Sequence, residues 1–463
     1  MQYASLTFWV SFLLFLGLYA AVHRHVRLRN ILLLAFSYLL YVVWDGRFLL
    51  LLILATLVSY VAGRALEKSH YRRTILWSAI IFHLIILGFF KYAGFFVSSF
   101  QDVLALFGLP WDWAIIAIAL PLGISFYTFQ LIGYVVDVYR GTIRANTNLL
   151  DLALFAAFFP KLLAGPIERA GHLLPQFSQV RPITKERLSQ GIILIAWGFV
   201  QKFCIADNAA LIADTLFDHS LLTPHGLSGA LAVSLEIYAD FSGYSDVAKG
   251  IAALLGFDLV WNFRMPYVAS TPSDFWKRWH ISLSEWFRDY VYIPLGGSRG
   301  DILYTIQNLF VTMLLVGLWH GAQWTFVLWG MYHGFLATAY AVGGKIIRIP
   351  ERIAHALPFR ILATVFFFGL VTFGWILFAS PSLDAFAQAI LGMRFSLHEL
   401  NLPLVLLLWA PIILMHFLQG WKGDLLAITR LPTAVQCIFV LACIYALILF
   451  SPQETQQFLY VRF

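Results

Sequence analysis

Long apolar stretches alternate with short charged turns along almost the whole chain. Such stretches cover residues 1–22, 30–44, 48–63, 74–90, 192–205, 227–239, 358–378, 402–418 and 434–450. A helix that crosses a bilayer needs about 20 mostly apolar residues. The pattern therefore predicts an all-α polytopic membrane protein with roughly eleven transmembrane helices. The first stretch lacks the basic segment and the cleavage site of a signal peptide, so it is interpreted as a membrane span.

Two interruptions predict irregular structure within the membrane. Pro121 and Gly123 should break or bend the helix that follows them. The apolar segment 152–165 is short and contains both proline and glycine, so it is expected to be re-entrant instead of spanning.

Basic residues fix the expected orientation. His23 to Arg29 reads HRHVRLR and Arg64 to Arg73 reads RALEKSHYRR, an even number of predicted spans apart. Cytoplasmic loops are enriched in lysine and arginine. The N-terminus is therefore expected on the outer side, which is the periplasm if the chain lies in a bacterial inner membrane.

Composition agrees with this class. The chain has 463 residues, of which 60% are hydrophobic and 12% charged, with a mean hydropathy of +0.79. No soluble protein of this size has such a composition. The net charge of +7 is attributed to basic loops, and nucleic-acid binding is excluded because no long basic run exists. Membrane lipid is the first expected partner.

The segment 275–290 contains large apolar residues at helical spacing opposite a charged face. Thr271 should cap this helix and Pro272 should occupy its first turn. An aromatic face opposite mixed charges is typical of a helix at the membrane interface. His280 would lie at the edge of the apolar face, where a structural role is the simpler interpretation.

The next stretch, residues 302–344, has no charged residue and could form two spans with His320 near the middle. A hairpin of these spans would carry His320 deep into the bilayer. A histidine there is costly and suggests a function, although hydrogen bonding to a carbonyl is the alternative. Glu236, Asp240 and Asp246 are also unusual for a buried helix, and structural hydrogen bonds or placement in a loop is the simpler interpretation.

Histidine is the natural general base near neutral pH, and acyl transfer to a hydroxyl needs such a base. Forty residues separate His280 from His320 with no third ligand at a suitable spacing, so no metal site is expected. The indole N–H groups of Trp319 and Trp324 could stabilise a carbonyl oxygen, with packing as the alternative. His333 is interpreted first as structural.

Several segments carry a resemblance to a known family. They are WHG at Trp319, FWKRWHISLSEWFRDYVYIPLGG at Phe275, PLGISFYTFQ at Pro121, FFPKLLAGPIER at Phe158, YADFSGYSD at Tyr238, GFDLVWNFRMPY at Gly256 and WGMYHG at Trp329. In this order they resemble the membrane-bound O-acyltransferase family, and most of all the branch that contains the membrane subunit of bacterial alginate O-acetyltransferase. The resemblance implies one integral membrane domain over residues 1–463, folded as a funnel-shaped bundle with a thinned centre. Residues 121–344 would form its core and residues 345–463 its C-terminal helices.

The resemblance also implies the chemistry. His320 would be the general base and His280 would position the reactants, with substrate-binding residues Trp319, Trp324, His333, Trp276 and Trp279. The acyl donor would be a cytoplasmic thioester such as acetyl-CoA, with no metal. The acyl group would pass to an exported cell-surface polysaccharide, such as alginate or cellulose.

No stretch of this sequence is long and polar enough to form a soluble domain that could hold that polymer. A periplasmic partner that carries the acyl group onward is therefore expected, and the resemblance implies that this partner is an acetyltransferase with a serine-hydrolase-like site. A polysaccharide synthase or export complex is a further expected partner. The alternative is a transporter or flippase for lipid-linked sugar or acyl groups, with histidine and acids in its path but no chemistry.

Overall fold

A computed structural model describes residues 5–109, 119–217, 226–346, 350–394, 396 and 399–452. These residues fold into α-helices with short 3₁₀ and π turns, and no β-strand occurs among them. Seven helical segments within the described ranges are long and apolar enough to cross a membrane. The prediction of an all-α polytopic membrane protein is confirmed, whereas the number of eleven crossings stays a prediction. Residues 1–4, to which the expected outer N-terminus belongs, lie outside the described part.

The chain divides into two compact units, of which the first comprises residues 1–183 and 255–259. Its helices are α1 Leu6–Val22, α2 Val26–Asp45, α3 Leu49–Lys68, α4 Arg72–Leu106, α5 Ile124–Arg140, α6 Leu149–Ala157, α7 Phe159–Leu162 and α8 Ala170–Phe177. Its interior contains an unusual polar network. The guanidinium of Arg29 donates to the carbonyl oxygens of Phe177 at 2.6 Å and Gln179 at 2.7 Å. The amide of Asn30 donates to Asp151 at 2.8 Å. Buried polar groups are stable only when satisfied in this way.

The expected interruptions occur in this unit. Helix α5 begins directly after Gly123, whose φ of 66° lies in the left-handed region. The predicted re-entrant segment forms two short helices, α6 and α7, separated at Phe158. Helix α4 is longer than the predicted span, because it continues past Lys91 to Leu106. The ammonium group of Lys91 lies 3.4 Å from the hydroxyl of Ser125, a polar neighbour that the sequence pattern does not reveal.

The second unit comprises residues 184–254 and 260–463. Its helices are α9 Lys185–Phe199, α10 Asp207–Ala213, α11 Gly226–Leu254, α12 Pro272–Trp276, α13 Ile281–Phe287, α14 Ile302–His320, α15 Trp324–Ile346, α16 Glu351–Ala354, α17 Leu357–Ala379, α18 Leu383–Gly392, α19 Leu402–Lys422 and α20 Thr433–Phe450. Two π turns, Val200–Ala206 and Arg288–Tyr292, follow α9 and α13. Every candidate site residue predicted from the sequence lies in this unit.

Helix α11 forms the centre of this second unit. It continues well beyond the predicted span and includes the whole YADFSGYSD segment in helical conformation. Its residues are buried almost throughout, and it packs against α9, α10, α17 and α19. The acids of this segment are therefore within the bundle and not in a loop. They are stabilised by polar partners, as in the bond from the amide of Gln201 to Asp246 at 2.7 Å.

Candidate active site

Helices α14 and α15 form the predicted hairpin and present His320 at its closed end. The two backbones touch where Gly317 meets Gly330, since a Cβ on Gly317 would lie 2.3 Å from the carbonyl oxygen of Phe326. Helix α14 ends at His320, and Gly321 continues in extended conformation. A Cβ on Gly321 would lie 2.1 Å from the ring of Phe326, so only glycine fits after the histidine. The last two residues of WHG thus have distinct roles in the hairpin. His320 supplies a buried imidazole, and Gly321 allows the ring of Phe326 to pack against the backbone.

The segment around His280 differs from the expectation. The sequence predicts one helix through residues 275–290, but α12 ends at Trp276 and α13 begins only at Ile281. His280 separates them with φ 40° and ψ 54°, in the left-handed region. The predicted N-cap is confirmed, because the hydroxyl of Thr271 accepts from the backbone N–H of Asp274 at 3.1 Å. The single continuous helix is wrong, and with it the position of His280 at an exposed helix edge.

Hydrogen bonds from Asn262 hold this break. The backbone carbonyl of Asn262 accepts from the N–H of Ile281 at 2.9 Å, in place of a helical partner. Its side-chain oxygen accepts from the hydroxyl of Ser282 at 2.6 Å, and its amide donates to the hydroxyl of Ser245 at 3.1 Å. His280 is consequently turned inward and has no exposed surface. Burial lowers the pKa of its imidazole well below the ordinary value, so the ring is neutral.

The two histidines lie together. The ring centroids of His280 and His320 are 6.3 Å apart, and both rings contact Trp319, at 5.7 Å and 5.0 Å. Phe241 of α11 meets the His280 ring edge-on at 4.7 Å. The fold thus brings His280 and His320, which are forty residues apart in the sequence, into one buried cluster with Trp319 and Phe241. Among the described residues no group of three potential ligands could hold a metal ion.

Aromatic rings surround the outer side of His320. Trp329 lies at 5.1 Å and Phe378 at 5.2 Å from its ring, both edge-on. Trp329 in turn contacts His333 at 4.7 Å, and His333 contacts Trp276 at 5.2 Å. The predicted residues Trp276 and His333 therefore lie one ring further from His320 than Trp329 does. The sequence pattern does not identify Trp329 as a site residue, although its ring lies between those of His320 and His333, which are both predicted.

Three buried ring nitrogens in this cluster have no hydrogen-bond partner within the described part of the chain. They belong to Trp276, Trp329 and His333. Buried polar atoms are normally satisfied, and exceptions in a native fold ask for an explanation. The N–H groups of the two indoles are donors that a substrate oxygen could use.

A small enclosed cavity adjoins His320. It is lined by Ile237, Asp240, Phe241, Trp279, His320, Trp375 and Phe378, and its volume of about 10 Å³ holds roughly one water molecule. Trp279 thus lines the same cavity as His320, and its role in binding substrate stays a prediction. Trp324 is half exposed at the start of α15 and does not line this cavity.

A much larger cleft opens beside the break at His280. It has a volume of about 560 Å³, and its wall carries the basic side chains of Arg264, Lys277 and Arg278 together with the carboxylates of Asp274 and Asp424. Four of its lining residues, Trp261, Met265, Gln419 and Leu425, also line a narrower polar cavity further inside. That inner cavity contains Tyr238, whose hydroxyl lies 2.8 Å from Nε2 of His416. It is also lined by Phe263, whose ring contacts that of Trp279 in the His320 cavity at 5.0 Å, so aromatic packing lies between the two cavities.

A family model and several known proteins that resemble this chain all indicate the same family. Residues 142–378 match the model of the membrane-bound O-acyltransferase family. The chain is 43% identical over 391 residues to a probable alginate O-acetylase of Azotobacter vinelandii, covering 83% of this chain and 76% of that protein. It is 33% identical to a peptidoglycan O-acetyltransferase of Helicobacter pylori, covering 77% and 72% of the two chains. A teichoic acid D-alanyltransferase of Bacillus subtilis is 30% identical over 56% of this chain and 68% of its own length.

These matches bear out the resemblance on which the enzyme prediction depends, and they leave the transporter alternative without support. The residues matched by the family model include both buried histidines and the hairpin that presents one of them. The chain belongs to the membrane-bound O-acyltransferase family and is a membrane O-acyltransferase.

Proposed function

We propose that the chain takes an acetyl group from acetyl-CoA, or another acyl thioester, on the cytoplasmic side and passes it across the inner membrane. The acyl group is destined for O-acetylation of an exported cell-surface polysaccharide such as alginate. The observation that carries this proposal is the buried pair of His280 and His320, whose rings lie 6.3 Å apart. The relatives named for alginate and peptidoglycan O-acetylation support acetyl transfer to an envelope polymer.

In the proposed reaction His320 is the general base. Its imidazole takes the proton of the attacking hydroxyl as that oxygen bonds to the acyl carbon of the thioester. The carbon–sulfur bond then breaks, and the imidazolium returns its proton to the departing sulfur. The neutral His280 polarises or orients the acyl carbonyl, while the indole N–H of Trp329 is available to its developing negative charge.

The basic cleft is the proposed entrance for the donor. A thioester of coenzyme A carries phosphate groups, which Arg264 and Lys277 would attract, whereas Arg278 is paired with Asp274 at 2.8 Å. Its slender arm would then enter the narrower polar cavity and reach His320 past the rings of Phe263 and Trp279, which lie between the two cavities. The acyl group would meet the acceptor hydroxyl at His320.

The proposed acceptor is a periplasmic acetyltransferase with a serine-hydrolase-like site. A cavity that holds roughly one water molecule has no room for a polysaccharide strand. A single side-chain hydroxyl of a partner protein needs far less room beside His320 than the sugar units of a polymer do, and the partner then acetylates the polymer within its export complex.

The test replaces His320 with alanine in a strain that lacks the native gene. Ester-linked acetate on the purified exopolysaccharide is expected to fall by at least a hundredfold, because a general base typically contributes about a hundred- to ten-thousandfold. His83→Ala is the matched control. His83 is also buried, but in the first unit, where its ring lies 2.8 Å from the hydroxyl of Ser59. Unchanged acetate in a well-inserted His320→Ala strain would exclude His320 as the base.

A further inference from the structure

Asp240 is the one carboxylate on the wall of the His320 cavity. It lies on α11, is 3% exposed, and shares the cavity with His320, Trp279 and Trp375. From the sequence alone, a structural role is the simpler interpretation of this acid. Its position on the wall beside the proposed base points instead to a part in the chemistry.

A buried lysine fixes this carboxylate. The ammonium group of Lys202 lies 2.7 Å from Oδ1 of Asp240 and 2.8 Å from Oδ1 of Asp207. All three side chains are nearly inaccessible. Salt bridges of this length in the interior hold both partners in one geometry, because an unpaired buried charge would lose its hydration without compensation.

The surrounding backbone leaves little room for movement. Lys202 lies in the π turn Val200–Ala206, an uncommon conformation that is frequent at functional sites. One turn away, a Cβ on Gly243 would lie 2.6 Å from the carbonyl oxygen of Gly198 at the end of α9, and 3.2 Å from the backbone nitrogen of Lys202 in the π turn. The end of α9 and the π turn are therefore packed closely against α11 beside Asp240.

Two acids share one lysine here, although Asp207 alone would neutralise it. Burying a second carboxylate costs solvation free energy, so Asp240 is not explained by the need to pair Lys202. A positive charge that exists only during the reaction would explain it. The imidazolium of His320 is such a charge in the proposed reaction.

We propose that Asp240 is a positioning residue for acyl transfer: its carboxylate, fixed by Lys202, stabilises the imidazolium that His320 becomes when it takes the proton of the attacking hydroxyl. This inference rests on the proposed role of His320 as general base. Asp240 takes up no proton and touches no substrate. The proton passes from the hydroxyl to His320 and then to the departing sulfur, while the acyl carbon exchanges its bond to sulfur for a bond to oxygen.

The test uses inside-out membrane vesicles from the strain that makes the polymer, so that the natural partners are present. Transfer of radiolabelled acetyl groups from acetyl-CoA to the envelope polymer is measured against donor concentration. Asp240→Asn is expected to lower kcat by about ten- to a hundredfold, as a part of the general-base contribution. KM for acetyl-CoA should stay within about twofold, because the donor is bound before the charge forms. Asp240→Glu keeps the charge and should recover part of kcat.

Asp207→Asn is the matched control, since it removes the other partner of Lys202 but leaves the cavity wall intact. Its kcat should stay within about threefold of wild type, because Asp207 does not line the cavity in which the charge on His320 forms.

Equal losses of kcat and of protein yield in Asp207→Asn and Asp240→Asn would overturn the inference and make both residues structural. Wild-type kcat in Asp240→Asn, with His320→Ala inactive, would overturn the inference alone. Absence of transfer by wild-type vesicles, or full transfer by His320→Ala, would overturn the proposed function and the inference with it.

Discussion

His280 combines a buried imidazole with a backbone conformation that residues with a Cβ rarely adopt. Its φ of 40° lies in the left-handed region, which costs a non-glycine residue about 1–2 kcal/mol. Glycine at this position would remove that strain, so strain alone does not explain a histidine here. The side chain must therefore contribute something that glycine lacks, and its ring contacts with Trp319 and Phe241 direct that contribution to the site.

A pair of substitutions separates the backbone from the imidazole. His280→Gly and His280→Ala both remove the ring, and each is expected to lower acetate on the polymer at least tenfold if the ring orients the reactants. The glycine variant should be more stable than the alanine variant by about 1 kcal/mol, because only alanine retains the strain at positive φ. Thermal unfolding of the two purified variants measures this difference. Wild-type acetylation in His280→Gly would show that the ring is dispensable.

The sequence predicts some site residues well and others not at all. A histidine in an uncharged apolar stretch is rare, so the sequence pattern alone distinguishes His320. Trp329 and Trp375 gave no such signal, because the chain has 16 tryptophans and packing explains any one of them. Asp240 was noticed as an unusual acid, but its relation to His320 depends on a contact between helices far apart in sequence.

At the level of elements, the break between α12 and α13 shows the limit of periodicity. The apolar positions before and after His280 fit one helical repeat, so the pattern predicts a continuous helix. The structure breaks it because Asn262, from the preceding loop, accepts the N–H of Ile281. A hydrogen bond to a residue outside the helix leaves no trace in the spacing of apolar residues.

The hairpin of α14 and α15 permits a test of how strictly His320 must be placed. Gly317→Ala would put a Cβ 2.3 Å from a backbone carbonyl, so the two helices must separate. Overpacking of this kind costs about 1–3 kcal/mol. Because His320 lies one turn further along the same helix, a shift of about 1 Å could reduce the acyl transfer rate about a hundredfold.

Gly343→Ala is the control for that change. Gly343 lies on α15 as well, and a Cβ there would meet nothing within 4 Å. Thermal unfolding and polymer acetate of the two variants are compared in the same strain. We expect wild-type values for Gly343→Ala and losses in both measurements for Gly317→Ala. Normal acetylation by Gly317→Ala would show that the site tolerates movement of the hairpin.

For the whole molecule, composition predicts the class of fold but not its internal arrangement. Apolar length alone indicates membrane helices, and α2, α3, α17, α19 and α20 occur close to where it places them. The division into two units at residue 184, with residues 255–259 returning to the first, has no signal in hydropathy. The division depends on which buried helix faces pack against each other. Hydropathy cannot predict this, because it assigns similar values to all apolar faces. The expected single domain over residues 1–463 is not tested by this division and stays a prediction.

The orientation in the membrane is the prediction that belongs to this scale, and α3 allows it to be measured. Its 20 residues are about 30 Å long, enough to cross the bilayer core, so exposed Arg47 before it and exposed His70 after it should lie on opposite sides. Basic residues on both sides of His70 predict that this end lies in the cytoplasm. With exposed Cys437 replaced by serine, Arg47→Cys should react with a membrane-impermeant maleimide in intact spheroplasts, and His70→Cys only in inside-out vesicles. The Cys437→Ser chain without an added cysteine gives the background. The reverse pattern would invert the orientation of α3, and would then put the N-terminus of α1, two spans earlier, in the cytoplasm.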